Sequence, residues 1–446
     1  MAFTRIWATI GFVTIAVIAA SASHSMAVEA DLPLRQWSQW RGPRATGEAP
    51  WADPPLRWDA QSGVRWKVRI PGEGSATPII WLDRVFLLTA IPTDMLVDPA
   101  PTPHPDAKTV PPKHLYQFVV LCLDRVTGRE LWRRVACETV PHEGRHATNS
   151  YASGSPVTDG ERLYVSFGSR GLFCYDLDGK LLWKRELGRL RTRFGWGEGT
   201  SPTVHGNSVA IVCDQEENSF LTVLDARTGE LQWRASRDEP TSWATPLVVA
   251  HAGRTQLIVN GTRRARGYDL ATGEVVWECG GQTVNAIPSP LADERTVYCM
   301  SGYRGAAAFA IPLDATGDLT DTDRVRWSYK QATPYVPSPL LVQGQLYFTR
   351  ENSSILTALD AATGQVRFGP QRIPGLSSVY ASPVAAAGRV YFVDRDGTTV
   401  VLRHAPQLEV LATNKLDEAV DASPALVGKQ LFLRGKEHLY CIENKP

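Results

Sequence analysis

A Ser-Pro or Thr-Pro dipeptide returns along this chain, with its proline at Pro78, Pro156, Pro202, Pro246, Pro290, Pro339, Pro383 and Pro424. After a first interval of 78 residues the spacings are 46, 44, 44, 49, 44 and 41. A period of that length marks one supersecondary unit repeated many times, each unit too thin to bury both of its faces alone. The internal order is constant. A few apolar residues follow the proline, then a polar turn, then an apolar strand such as RLYVSFG at 162–168. A third strand ends in Asp, a Thr-Gly turn follows, and a last strand carries Trp. LDRVTGRELW at 123–132, LDARTGELQW at 224–233, YDLATGEVVW at 268–277 and, with Phe for Trp, LDAATGQVRF at 359–368 show the pattern. Asp bonds forward into its own turn, and Gly supplies the positive φ of a tight hairpin. Four short strands per period make a propeller blade.

The repeat predicts an all-β chain: a single eight-bladed β-propeller of four-stranded antiparallel blades over residues 58–446. The last unit ends just after HLYCIE and lacks its Trp strand, while WDAQSGVRWKV at 58–68 has the turn and Trp66 but no preceding blade. The N-terminal strand near Trp66 should therefore close blade eight. In blade seven LEVLATNKL at 408–416 stands in for the Trp strand. The long first interval holds a Pro-rich insert, 91–115, with seven prolines, which predicts neither strand nor helix through most of its length.

Upstream, residues 1–27 read as a signal peptide. Arg5 precedes an apolar run from Ile6 to Ala20, and Ser25-Met26-Ala27 offers a small-x-small cleavage site. An uncleaved anchor is the alternative; the run is short for a span. Residues 28–57 form an N-terminal extension. The expected location is periplasmic or secreted, with no lipobox cysteine and no transmembrane segment in the mature chain. Charge is balanced, 47 Lys plus Arg against 46 Asp plus Glu, which argues against a nucleic-acid binder. The seven cysteines show no metal spacing. Cys122, Cys174 and Cys441 share a position with Val223 and Ala358 two residues before the turn acid, which predicts a small core slot.

At the Asp-x-x-Thr-Gly-x-x-x-Trp segments the chain resembles the pyrroloquinoline-quinone (PQQ)-type repeat family. That resemblance implies one of two branches. Quinoprotein dehydrogenases hold PQQ and Ca²⁺ at the propeller axis, normally over a vicinal Cys-Cys disulfide, which this sequence lacks. Non-catalytic propellers similar to BamB bind proteins. The opening WSQWRGPRATGEAP at 37–50 is similar to that of secreted members of the superfamily.

In a four-stranded meander the loops before strand one and between strands two and three emerge on one face. The polar residues placed there are Arg145, His146, Asn149, Trp196, Glu198, Trp243, Asn285, Tyr335, Tyr380 and Asp421 before strand one. Between strands two and three they are Asp214, Glu216, Asn218, Asn260, Arg263, Arg264, Tyr303, Arg304, Arg350, Asn352, Asp394, Arg395 and Arg434. The insert belongs to the same loop set and is expected over that face. Arg and aromatic anchors of this kind suit a protein interface. His142, Glu143 and His146 could suggest a metal, and Asp214 with Glu216 and Glu217 a Ca²⁺ or acid–base pair, but neither group has regular ligand spacing. The expectation is an exported monomer that scaffolds an envelope or extracellular protein partner through its loop face, with no catalytic residue, metal or cofactor. The alternatives are a PQQ- and Ca²⁺-dependent dehydrogenase and a carbohydrate or polyanion binder.

Overall fold

The computed structural model describes residues 31–98 and 107–444. The leader-like segment and part of the insert lie outside the described residues.

Eight small sheets follow one another around an axis, each built from one sequence repeat. Blade one is Ile79–Trp81, Arg84–Leu96, His114–Asp124 and Glu130–Thr139; blade three is Thr203–His205, Ser208–Cys213, Phe220–Asp225 and Leu231–Ser236. The first strand of every blade is innermost and, except in blade four, the fourth is the outer edge. Blade eight takes its outer strand from the other end of the chain. Val64–Arg69 pairs antiparallel with His438–Ile442, Trp66 opposite Cys441 and Val68 opposite Leu439, so the ring is sealed as the sequence pattern required.

Two circles of contact explain why the repeat looks as it does. The inner circle is made by the Ser or Thr before each proline. The Thr77 amide donates to Ser155 Oγ at 3.0 Å, Ser155 to Ser201 at 2.8 Å, and Ser201 to Thr245 at 3.2 Å. The relay continues through Ser289, Ser338, Ser382 and Ser423, and the Thr77 hydroxyl closes it on the Ser423 carbonyl at 3.2 Å. A buried amide without a partner costs about 1–3 kcal/mol, so a hydroxyl is needed at each station. The outer circle is made by the Trp strand. Trp183 lies on the Thr-Gly turn of the next blade, and its Nε1 donates to the Ala226 carbonyl at 3.1 Å. A Cβ on Gly229, which has φ +70°, would sit 2.6 Å from the Trp183 ring. Trp66, Trp132, Trp233 and Trp327 dock in the same way.

The structure departs from the simple repeat in three places. Blade four gains a fifth, parallel strand, Gly317–Asp318, beside Trp277 and Glu278. There Trp277 turns into its own blade and donates to Gln256 Oε1 at 2.8 Å. The Pro-rich insert carries strand towards its ends. The blade-one hairpin continues through Pro92, opposite Tyr116, to Leu96, and Thr109–Val110 pairs with Arg145–His146. Proline is tolerated at such an edge because only alternate backbone groups face the ladder partner. The cysteine slots behave as expected: Cys122, Cys174 and Cys441 are fully buried between blades, unbridged, and burial pushes each thiol up to about 12. Among the described residues no helix is long and apolar enough to cross a membrane.

The N-terminal extension is a strap laid inside the ring. Trp37 bridges to Ile80, the Ser38 carbonyl accepts from Thr158, and Arg41 donates to the Pro339 carbonyl. Thr46 and Gly47 accept from Leu341 and Ala385, and the Asp53 amide ends the path on Gly428, in the turn after the innermost strand of blade eight. The strap therefore touches inner strands around the ring from the side opposite the long loops.

Candidate functional site

Eight innermost strands tilt around an axis too wide for their own small side chains to fill, and the loops before them converge over the space that remains. A cavity of about 470 Å³ opens there. Trp40 of the strap forms its floor, with Nε1 donating to Ser289 Oγ at 3.0 Å, and the Ser/Thr circle surrounds that floor. Trp196, Trp243, Tyr303, Tyr335, Tyr380 and His146 make the wall. Tyr303 and Tyr335 stack at 4.6 Å, Trp196 lies 6.3 Å from Trp243, and the His146 ring meets Trp196 edge-on at 5.4 Å.

Each indole is oriented by a backbone carbonyl. Trp196 Nε1 donates to Ala107 at 2.6 Å, which ties the insert down over the face, and Trp243 Nε1 donates to Gly197 at 2.7 Å. Their donors are spent, so these side chains offer the cavity π faces. Asn149 is spent as well: its Nδ2 reaches the Trp196 carbonyl and its Oδ1 accepts from Ser150 and Ser153. His146 Nδ1 accepts from the Thr148 amide at 3.2 Å and pairs with its hydroxyl at 2.8 Å, which leaves the proton on Nε2 in the neutral ring. Burial, then Lys108 and Arg395, hold the His146 pKa below the ordinary value. Burial pushes the Tyr335 hydroxyl up to about 12, with Asn285 and Arg193 acting against it. Burial would raise Asp421, but Arg395 and Lys436 outweigh it and keep the carboxylate low.

Of the residues placed on this face from sequence, His146, Asn149, Trp196, Trp243, Tyr303, Tyr335, Tyr380 and Asp421 meet at the cavity. Others do not. Asp214 is wholly buried in a two-point ion pair with Arg237, at 2.7 and 3.1 Å, and also accepts from Ser242. Glu198 turns to Arg170 and the Ser169 amide and hydroxyl. Asn260 is buried and donates to the Pro288 and Met300 carbonyls. Asp394 organises the 377–378 backbone. Arg145 pairs with Glu73, Arg264 with Glu278 and Asp318, Glu216 with Thr241, and Arg434 reaches the Leu88 carbonyl. Asn285 is buried beside Tyr335, whereas Arg304 and Arg350 are exposed. His142 and Glu143 go separate ways, to the Leu190 carbonyl and to Thr192. Trp40 and Lys108 line the cavity and were not singled out from sequence, because nothing in the spacing shows a strap re-entering the ring or which residue of the insert reaches it.

A quinone with Ca²⁺ does not fit these residues. A hard cation takes six to eight oxygen ligands, whereas the one carboxylate on the cavity wall among the described residues, Asp421, has both oxygens engaged by Arg395 and Lys436. No cysteine lines the cavity, and no group of three His, Cys, Asp or Glu side chains among the described residues converges as metal ligands would.

Residues 117–369 match the family described as outer membrane protein assembly factor BamB. Among solved structures, BamB from Moraxella catarrhalis is similar at 15% identity and a TM-score of 0.53, over 80% of this chain and 98% of that one. A quinohemoprotein alcohol dehydrogenase from Comamonas testosteroni superposes with a TM-score of 0.64 at 12% identity, over 94% and 82% of the two chains. A europium-containing methanol dehydrogenase gives 0.63 at 11%, over 92% of each. At these identities the likeness is one of fold. No curated protein sequence matches the chain.

Proposed function

Since the chain belongs to the family of the outer membrane protein assembly factor BamB, we propose that it is an exported, non-catalytic scaffold that holds a segment of a partner protein in the loop-face cavity. One observation carries this reading. Aromatic side chains from six separate segments surround about 470 Å³, and the indole N–H groups of Trp40, Trp196 and Trp243 are already bonded. Rigid aromatic anchors around a concave, desolvated centre are what interface hot spots are made of. The dehydrogenase alternative would need oxygen donors for its metal that the described cavity residues do not offer. A neutral sugar would need free amides and carboxylates, and Asn149 and Asp421 are already occupied.

The leader-like residues 1–27 place the protein in the periplasm or outside the cell in this reading, and a monomer suffices for it. The test is affinity capture from the native host with wild type, Trp243→Ala and Tyr335→Ala as baits. Wild type should retain one partner that both variants lose. Equal retention by all three overturns the cavity as the binding site.

A further inference from the structure

The cavity has a charge character that its aromatic lining does not require. Lys108, on the insert, borders it and makes no ion pair among the described residues. Its backbone has φ +54°, a conformation costly for a residue with a Cβ, and is fixed there by the Ala147 amide on its carbonyl and by the Thr109–His146 pairing. Arg193 lies 5.2 Å over Phe194 and acts electrostatically on Tyr335. Its Nε is buried with no hydrogen-bond acceptor, and the side chain has no carboxylate partner among the described residues. Arg304 covers Tyr303 at 5.3 Å, also without a carboxylate among the described residues. Arg395 lies over Tyr380 at 4.2 Å and shares Asp421 with Lys436. Five cations from five loops thus stand at the cavity, Lys108 on its wall and the others against its lining residues Tyr335, Tyr303, Tyr380 and Asp421, in a protein whose total charge is only +1. His146 adds an Nε2 donor to the same wall.

The geometry points to an acidic peptide segment bearing an aromatic side chain as the occupant of this cavity, its ring stacked among Trp196, Trp243 and Tyr335 and its carboxylates met by Lys108, Arg193 and Arg304. This rests on the protein-binding reading above and adds the chemistry of the partner. The cavity is blind, since Trp40 and the strap close the channel below it. The occupant must enter and leave by one mouth, which suits the tip of a loop or a short chain end. A threaded polyanion such as single-stranded nucleic acid would need an open, continuous groove.

The experiment titrates the full mature chain with four blocked pentapeptides, following tryptophan fluorescence. The probes are Asp-Glu-Phe-Asp-Glu, its lysine-flanked counterpart Lys-Lys-Phe-Lys-Lys, Ser-Gln-Phe-Ser-Gln, and Asp-Glu-Ala-Asp-Glu. The acidic phenylalanine peptide should bind tightest, by about tenfold over each of the others, and should weaken as salt rises from low to physiological strength. Lys108→Glu should lower its affinity by about tenfold while leaving the Ser-Gln-Phe-Ser-Gln peptide unchanged. Both that variant and Trp243→Ala are checked for an unchanged melting temperature. Preference for the lysine-flanked peptide, or no preference by charge, overturns the acidic assignment and leaves the protein-binding reading standing. Binding of all four peptides that survives Trp243→Ala overturns both. An oligo-dT pentamer that outcompetes the acidic peptide would replace the proposal with a nucleic-acid ligand.

Discussion

Replacing Trp66 by Ala removes the bolt of the ring. The side chain is 8% exposed, its ring lies 5.9 Å from Phe432, and its Nε1 donates to the Arg125 carbonyl at 3.0 Å across the junction between the last blade and the first. Below it Gly128 leaves no room: a Cβ there would meet the indole at 2.8 Å. Truncating a buried Trp to Ala costs about 3–5 kcal/mol, of which the hydrogen bond contributes about 1 kcal/mol. Unfolding entropy for a ring of this size is about 0.8 kcal/mol per kelvin, so the melting temperature should fall by about 4–6 °C. Trp66→Phe, which keeps a ring and loses the donor, should lose about 1–2 °C on the same scale. Trp51→Ala serves as the control, because Trp51, within the strap, is 53% exposed. Differential scanning calorimetry at one scan rate reads all three. A Trp66→Ala protein that melts within a degree of wild type would mean that the N-terminal strand does not seal the ring.

Three further outcomes follow from the same contacts. Ser155→Ala leaves the Thr77 amide without its 3.0 Å acceptor inside the ring and should cost about 1–3 kcal/mol in denaturant unfolding, with Ser155→Thr recovering most of it. Asp214→Asn strands Arg237 in the interior, where neither side chain has any exposure, and should cost about 3–5 kcal/mol; a loss under 1 kcal/mol contradicts the pairing. Burial, against hydrogen bonds from Thr192, pushes the Glu143 carboxyl up to about 7. Between the unfolded value of about 4.3 and that point the folded state holds the extra proton, so this group's contribution to stability falls as pH rises through the window and is flat above it. Glu143→Gln should therefore lessen the decline in melting temperature between pH 5 and 7, and an unchanged pH profile would contradict the raised pKa.

The ring was legible in the sequence because each blade needs the same few residues for local reasons. The Thr-Gly turn must accept a tryptophan from the blade before it, and the hydroxyl before each proline must accept an amide from the blade before it. Those constraints are short-range within a repeat, so they survive as spacing. The site was only half legible. Loop membership put His146, Trp196, Trp243, Tyr303, Tyr335 and Tyr380 on the right face, and they do converge. Loop membership could not tell Asp421, which reaches the cavity, from Asp214 and Asp394, which fold back to satisfy an arginine and a backbone turn. That choice depends on which partner lies within 3 Å, a tertiary fact. Trp40 was illegible for another reason: it comes from outside the repeat, and its position depends on the strap's path around the ring. The prolines of the insert suggested irregular chain, yet the preceding hairpin carries its ladder through Pro92, where tertiary pairing prevails over residue preference.

The claim on which the rest depends is that partners are held at the axis of the ring. Site-specific photo-crosslinking in the native host addresses it directly, with benzoylphenylalanine placed at Tyr335 in the cavity and, separately, at Leu231, which is 61% exposed on the outer edge of blade three. The expected result is a single adduct from position 335, lost on adding Trp243→Ala, and none from position 231. Adducts from the outer edge alone would place the partner on the rim and contradict an axial site.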